Sequence, residues 1–164
     1  MGSTEPERSV FLAGPFKALV DKATGAMREF DRGRLETLIA ALEAAGFTVY
    51  NAHRREGWGA AFLSPADCTR LDFEEIAGCT VFVAFPGAPA SPGTHIEIGW
   101  ASALGKPIVL LLEDGADYAF LVRGLHTVAA VEYLTLGPGE DITERVVSAV
   151  LAAECVRSAA GGGS

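Results

Sequence analysis

The sequence predicts one α/β domain of the doubly wound kind, a five-stranded parallel sheet in the order 2-1-3-4-5 with helices on both faces. Apolar runs alternate with helix-period segments along the chain. The runs "CTVFVAF" (79–85) and "KPIVLLLE" (106–113) are nearly all apolar, as strands buried on both faces of a parallel sheet must be. A length of 164 residues suits a single core. Parallel strands need crossover connections, and right-handed crossovers distribute the helices over both faces.

"SVFLAG" (9–14) is the first strand, with a glycine exit. In "MREFDRGRLETLIAALEAAG" (27–46), Leu35, Leu38, Ile39 and Leu42 fall on one helix face, and Gly46 stands where a C-terminal cap belongs. "FTVYN" (47–51) is the second strand, followed by a polar, aromatic loop. "SPADCTRLDFEEIAGC" opens a helix with Ser64 as N-cap, Pro65 at the first helical position and Asp67 at the third. Strand 3 covers 79–85. A helix from the stretch "ASPGTHIE" (90–97) to about Leu104 follows, then the fourth strand and a loop with a short helix near "DYAFLVRGL". A weaker strand, "TVAAVEYL" (127–134), and the helix "EDITERVVSAVLAAECV" (140–156) complete a domain of residues 9–156. Residues 1–8 and 157–164, the latter ending in "GGGS", have the composition of flexible ends.

Hydrophobic content of 49% and charged content of 21% exclude a disordered chain. A net charge of −8 argues against nucleic acid and anionic membranes as partners, since both require a basic face. Cys68, Cys79 and Cys155 are odd in number and widely spaced, so they read as free thiols of a reducing, cytoplasmic compartment. No apolar run reaches the roughly 20 residues that span a bilayer, and "MGSTEPERS" has no signal-peptide character. His95 and His126 are too far apart in the chain to form a ligand set, so neither metal nor other cofactor is expected.

In a 2-1-3-4-5 sheet, ligands bind at the carboxyl ends of strands 1 and 3, where the strand order reverses. The segments leaving those ends are "GPFK" (14–17) and "PGAPASPGTHIE" (86–97). A Ser-Pro-Gly-Thr turn before a helix offers free backbone N–H groups, a favourable dipole end and two hydroxyls, from Ser91 and Thr94, for a phosphate. Gly93 lets the backbone approach closely. The plainer reading is that Ser91 or Thr94 caps the helix and Pro92 stiffens the turn. Glu97, in the helix just beyond, adds a reactive group, and Asp72 faces the same rim if its helix is oriented as usual. Two carboxylates flanking a sugar are the equipment for breaking a glycosidic bond with retention. Taken alone, Asp72 reads as a solvated helix residue beside Glu74 and Glu75; only its pairing with Glu97 points to chemistry.

The stretches "FLAGPF", "LDFEEIAGCTVFVAF" and "SPGTHIEIGWASALGKPIVLLLE" together resemble the nucleoside 2-deoxyribosyltransferase superfamily over nearly the whole chain. "VYNAHRREGWGAAFLSPA" and "DYAFLVRGL" look like its CMP N-glycosidases from nucleoside-antibiotic pathways, of the mildiomycin and blasticidin S type. The resemblance implies that Glu97 is the nucleophile that attacks C1′. It implies that Asp72 assists the leaving base or holds the ribose hydroxyls. Ser91 stands where nucleoside transferases carry an Asp for the 5′-hydroxyl. Losing that charge favours a 5′-phosphate, so Ser91 to Thr94 would hold the phosphate and Thr94 would keep the capping role. Phe11 replaces a Tyr of deoxynucleotide-acting relatives, which points to a ribonucleotide, although Phe11 also reads as core.

Phe16, Lys17, His53, Arg54, Arg55 and Trp58 are candidates for the base, by stacking or by donating to cytosine O2. A solvated or dimer-contacting loop is the competing reading of 53–58. The resemblance further implies a homodimer with the active site near the subunit interface, around Tyr118 and Arg123; Ala119 stands where some relatives carry a phosphate-binding Ser. The expected activity is hydrolysis of CMP, or of 5-hydroxymethyl-CMP, to base and ribose 5-phosphate. The alternatives are a deoxyribosyltransferase or deoxynucleotide hydrolase, the cytokinin-activating phosphoribohydrolases whose motif "SPGTHIE" partly echoes, and a non-catalytic nucleotide-binding module.

Overall fold

A computed structural model describes residues 7–14 and 29–161. Its strands are β1 (Ser9–Ala13), β2 (Thr48–Tyr50), β3 (Val81–Ala84), β4 (Ile108–Glu113) and β5 (Val131–Leu136). The helices are α1 (Glu29–Ala44), α2 (Ala52–Arg55), α3 (Pro65–Gly78), α4 (Pro92–Ala103), α5 (Phe120–Arg123) and α6 (Thr143–Gly161). The five strands form one sheet in the order β2-β1-β3-β4-β5, all neighbours parallel, as the sequence predicts.

Successive strand residues point to opposite faces, so the same strands feed two cores. Val10, Leu12, Val81, Val83, Val109 and Leu111 pack on α1 (Leu35, Leu38, Leu42) and α6 (Val146, Val150). Phe11, Ala13, Phe82, Ala84, Ile108 and Leu110 pack on α3 (Ile76) and α4 (Ile98, Ala101). Each fully buried side chain of this size contributes about 1.5–3 kcal/mol, which makes a one-residue slip of any central strand untenable. The caps follow the sequence: Ser64 accepts from Asp67 N–H at 3.2 Å, and Gly46 takes φ +92 after α1.

Three local expectations change. The loop after β2 contains α2 and a 3-10 turn at Gly57–Gly59, because Asn51 caps α2 by accepting from Arg54 N–H at 2.9 Å. The last strand starts at Val131 rather than 127. Residues 125–127 form a 3-10 turn in which the Thr127 hydroxyl donates to Gly124 O at 2.8 Å. The described residues next to the two ends are also held in place. Arg8 donates to Glu154 at 2.6–2.9 Å and lies 4.3 Å over the Phe47 ring, and α6 continues to Gly161 because its Ser and Ala residues sustain a helix.

Asn51 also bonds to the first strand. Its Nδ2 donates to Leu12 O at 2.9 Å, and the residue is 3% exposed. The start of α2 is thereby tied to the carboxyl end of β1. Asn51→Ala strips a buried carbonyl of its partner and α2 of its cap, so unfolding in urea should show a loss of about 1–3 kcal/mol with unchanged m-value. Asn51→Asp, which keeps the cap and loses the donor, should fall between; an alanine variant as stable as the parent would show that this tie carries no weight.

Candidate active site

Gly14 and residues 85–91 leave the carboxyl ends of β1 and β3, and α3 and α4 lie side by side on the sheet face that carries Phe11 and Phe82. Asp72 and Ile76 are the buried positions of α3, so the face that packs on the sheet also carries the aspartate. On α4, Thr94, Ile98 and Ala101 are buried. Glu97 is half-buried.

α4 begins as its sequence demands, with Pro92 at the first position and Ser91 as the cap. The Ser91 oxygen accepts from Thr94 N–H at 3.5 Å and lies 3.1 Å from the Thr94 hydroxyl oxygen. The cap is therefore Ser91 and not Thr94, which corrects the role the sequence left to Thr94. Thr94 is 2% exposed and its hydroxyl turns inward to Gly14 O at 3.1 Å, where it ties α4 to the exit of β1. The first-turn N–H of Gly93 has no intrahelical acceptor. A Cβ on Gly93 would meet nothing within 4 Å among the described residues. Gly93 and Glu97 are four residues apart and share one helix face.

Glu97 makes no hydrogen bond to the described residues. Burial, and then the nearby Asp72 carboxylate, push its pKa up to about 8, and Arg55 opposes the rise. Asp72 is 6% exposed and its oxygens are both engaged: Oδ1 accepts from Arg55 at 2.5 Å and Oδ2 from the Cys68 thiol at 3.4 Å. Arg55 also donates to Glu75 at 2.7 Å. Cys68 lies between the Asp72 and Glu56 carboxylates, and burial with those two charges pushes the thiol up to about 12, so it is a hydrogen-bond donor rather than a nucleophile.

The remaining candidates separate. Gly14 sits under His53, whose Cε1 would lie 3.2 Å from a Cβ at that position, so a larger residue would displace the ring. His53 is 2% exposed, and burial lowers its pKa to about 4, leaving a neutral imidazole at the exit of β1. Arg54 points away, to Glu43 at 2.6 Å and to Val49 O. Trp58, in the left-handed region at φ +59, packs toward α1 with the Arg32 guanidinium 5.2 Å from its ring centroid. Phe11 is in the core, 1% exposed and stacked on Phe82 at 5.8 Å. Phe16 and Lys17 lie outside the described residues. Tyr118 is 8% exposed and accepts from Glu113 N–H at 2.7 Å.

The sequence motifs do not reveal Arg55 as a carboxylate partner, nor Glu75 as its second anchor. A signal existed: Cys68, Asp72 and Glu75 are spaced i, i+4, i+7 on α3, one helix face, with "RRE" in the preceding loop. No group of His, Cys, Asp and Glu side chains fit to hold a metal ion occurs among the described residues. A cavity of about 630 Å³, lined by Leu35, Phe85, Leu111, Tyr118 and Ile142, opens on the α1–α6 side of the sheet. It contains neither Glu97 nor Asp72, and its size carries less weight than the adjacent carboxylates and the perturbed titration of Glu97.

Glu97 couples this site to stability. In the unfolded chain the carboxyl titrates near 4.5, whereas in the folded chain it titrates near 8. Between those values the folded state holds a proton that the unfolded state has lost, so stability falls as pH rises through the window and levels off above it. Glu97→Gln should therefore gain thermal stability relative to the parent by several degrees more at about pH 9 than at about pH 4.5. At roughly 2–4 °C per kcal/mol the gap is readable by calorimetry. An equal effect at both pH values would place Glu97 in the ordinary carboxylate range.

The model of the nucleoside 2-deoxyribosyltransferase family matches residues 10–142. Among solved structures, the chain is similar to the CMP N-glycosidase BcmB of Clostridium botulinum. The two share 45% identity with a TM-score of 0.67, over 85% of this chain and 97% of that one. It is similar also to BlsM, at 52% identity and a TM-score of 0.77, over 90% of this chain and 92% of that one. A conserved protein from Enterococcus faecalis V583, 16% identical with a TM-score of 0.54, shares the fold over 89% of this chain and 98% of its own. No curated protein matches the sequence significantly. With four-fifths of its length matched to the family model, the chain belongs to the nucleoside 2-deoxyribosyltransferase family.

Proposed function

We propose that the protein is a nucleotide N-glycosidase that hydrolyses CMP to cytosine and ribose 5-phosphate by a retaining, two-step route. The observation that carries this reading is the adjacency of Glu97 and Asp72 at the strand-order reversal, with Glu97 on the same helix face as Gly93. The similarity to the CMP N-glycosidase BcmB supports it.

In this mechanism the ionised Glu97 attacks C1′ of the ribose, forming a glycosyl ester. The C1′–N1 bond breaks, and its electron pair leaves with the base, which takes a proton from solvent. Water then attacks C1′, the ester C–O bond breaks, and Glu97 returns as a carboxylate while a proton is released. The Ser91 hydroxyl and the Gly93 N–H hold the 5′-phosphate at the helix N-terminus. Asp72 serves as an acceptor for ribose hydroxyls: both of its protein contacts are donors to it, so its oxygens are set up to accept. Phe11, Phe16, Lys17 and His53 remain the candidates for sugar and base selection, and 5-hydroxymethyl-CMP is the second substrate to examine. Arg54 is occupied elsewhere.

Incubation with CMP, 5-hydroxymethyl-CMP, dCMP, UMP, AMP and cytidine, with free base followed by chromatography, tests the proposal. Base release is expected from CMP and not from cytidine, and Glu97→Ala should lower it by about 10³-fold or more. Preferential release from dCMP, or transfer to an added base, would favour a deoxynucleotide hydrolase or a transferase. Saturable CMP binding without product would favour a binding module.

The same proposal includes a cytoplasmic homodimer. Phe120, Leu121 and Val128 are 83%, 87% and 79% exposed around the α5 segment, next to Tyr118, which suits a face covered by a second copy. Light scattering after size exclusion should give twice the chain mass of 17.1 kDa, falling toward a monomer for Phe120→Ser with Leu121→Ser. A monomeric parent at micromolar concentration would remove the dimer.

A further inference from the structure

The side chains around Glu97 carry an excess of negative charge. From α2 and the residue after it come Arg55 and Glu56; from α3 come Cys68, Asp72 and Glu75; from α4 comes Glu97. Tyr50, at the end of β2, adds a hydroxyl whose pKa burial, and then Glu7 and Glu75, push upward. Arg55 is the only cation among the described residues that acts on Glu97. Its two terminal nitrogens are committed, one to Asp72 at 2.5 Å and one to Glu75 at 2.7 Å, while its Nε is buried without an acceptor among the described residues. Asp72 and Glu75 are three residues apart on α3, so the planar fork grips one helix face at two points.

We propose that Arg55 is a positioning residue: by bracing Asp72 and Glu75 from α2 it fixes Asp72 beside Glu97 and supplies the counter-charge that lets Glu97 act as an anion. This rests on the reading of Glu97 as the nucleophile. Arg55 is positioned in turn from β1, because Asn51 caps α2 and holds Leu12 O. A lysine at this position would retain the charge and lose the two-point grip.

The alternative is that Arg55 only pins α2 to α3. A purely structural ion pair would move stability without moving the titration of Glu97. The experiment records the carboxyl titration of Glu97 by ¹³C NMR in intact protein with labelled glutamate, assigned through Glu97→Gln, for the parent, Arg55→Gln, Arg55→Lys and Glu75→Gln. In parallel, kcat and KM for base release from CMP are measured across pH. Arg55→Gln should move the Glu97 midpoint upward by about one pH unit or more and shift the acidic limb of kcat/KM with it. Arg55→Lys should restore most of the midpoint and little of kcat. Glu75→Gln keeps the cation and loosens one anchor, so it should lower kcat about tenfold and leave KM and the midpoint near the parent. A parent midpoint retained in folded Arg55→Gln overturns the proposal. A parent protein that releases no base from any nucleotide overturns the proposed function instead, and the titration still reads the action of Arg55 on Glu97.

Discussion

Two backbone carbonyls at the exit of β1 hold the functional half of this molecule together. Leu12 O accepts from Asn51 and thereby fixes the start of α2. Gly14 O accepts from Thr94 and thereby fixes the start of α4. Both carbonyls lie at or just beyond the end of the strand that is hydrogen-bonded to β2 on one side and β3 on the other. The strand ladder has no further partner for them in this direction, and buried carbonyls must be satisfied. The two side chains that satisfy them are the ones that orient Arg55 and Glu97. Sheet termination and site assembly are one and the same set of bonds.

What could be read from the sequence depends on the range of the forces involved. Strands and long helices were legible because their apolar periodicity is local and repeated, as in "CTVFVAF" or the Leu35–Leu42 face. The position of Glu97 was legible because a parallel sheet directs its ligands to the point where strand order reverses. Arg55 was harder to assign, because its partners are 17 and 20 residues away in another helix and nothing local separates it from Arg54. The two neighbours leave α2 in different directions, one to a surface pair with Glu43 and one into the acidic cluster. The inversion of roles between Ser91 and Thr94 has the same origin: which hydroxyl caps and which turns inward depends on where Gly14 O lies, and that is tertiary information.

The acidic cluster is a concentration of like charge that folding alone would not favour. Burying carboxylates together raises the energy of every ionised form, and a single guanidinium cannot pair with all of them. The protein accommodates this by sharing Arg55 between two carboxylates, by donating a thiol proton from Cys68, and by leaving Glu97 with the strongest upward shift of the carboxyl groups described. The Trp58 backbone, in a left-handed conformation that bulky residues avoid, lies in the same connection between α2 and α3. The strained Trp58 backbone thus follows Glu56, a member of the acidic group, in a fold whose two cores are otherwise conventional.

The start of α4 and the surroundings of Asp72 differ sharply in the charge their residues carry. The segment 86–96, "PGAPASPGTHI", contains no carboxylate, whereas Glu56, Asp72 and Glu75 gather around Arg55 and Cys68, with Glu97 between the two. A doubly charged phosphate entering the wrong way round would meet those acids within the screening length of about 8 Å at physiological salt. A small anionic ligand would therefore be sorted head from tail during its approach, before any base is recognised. Raising the ionic strength would weaken that sorting, so an acidic protein of this kind would select the orientation of its ligand by repulsion at one end as much as by attraction at the other.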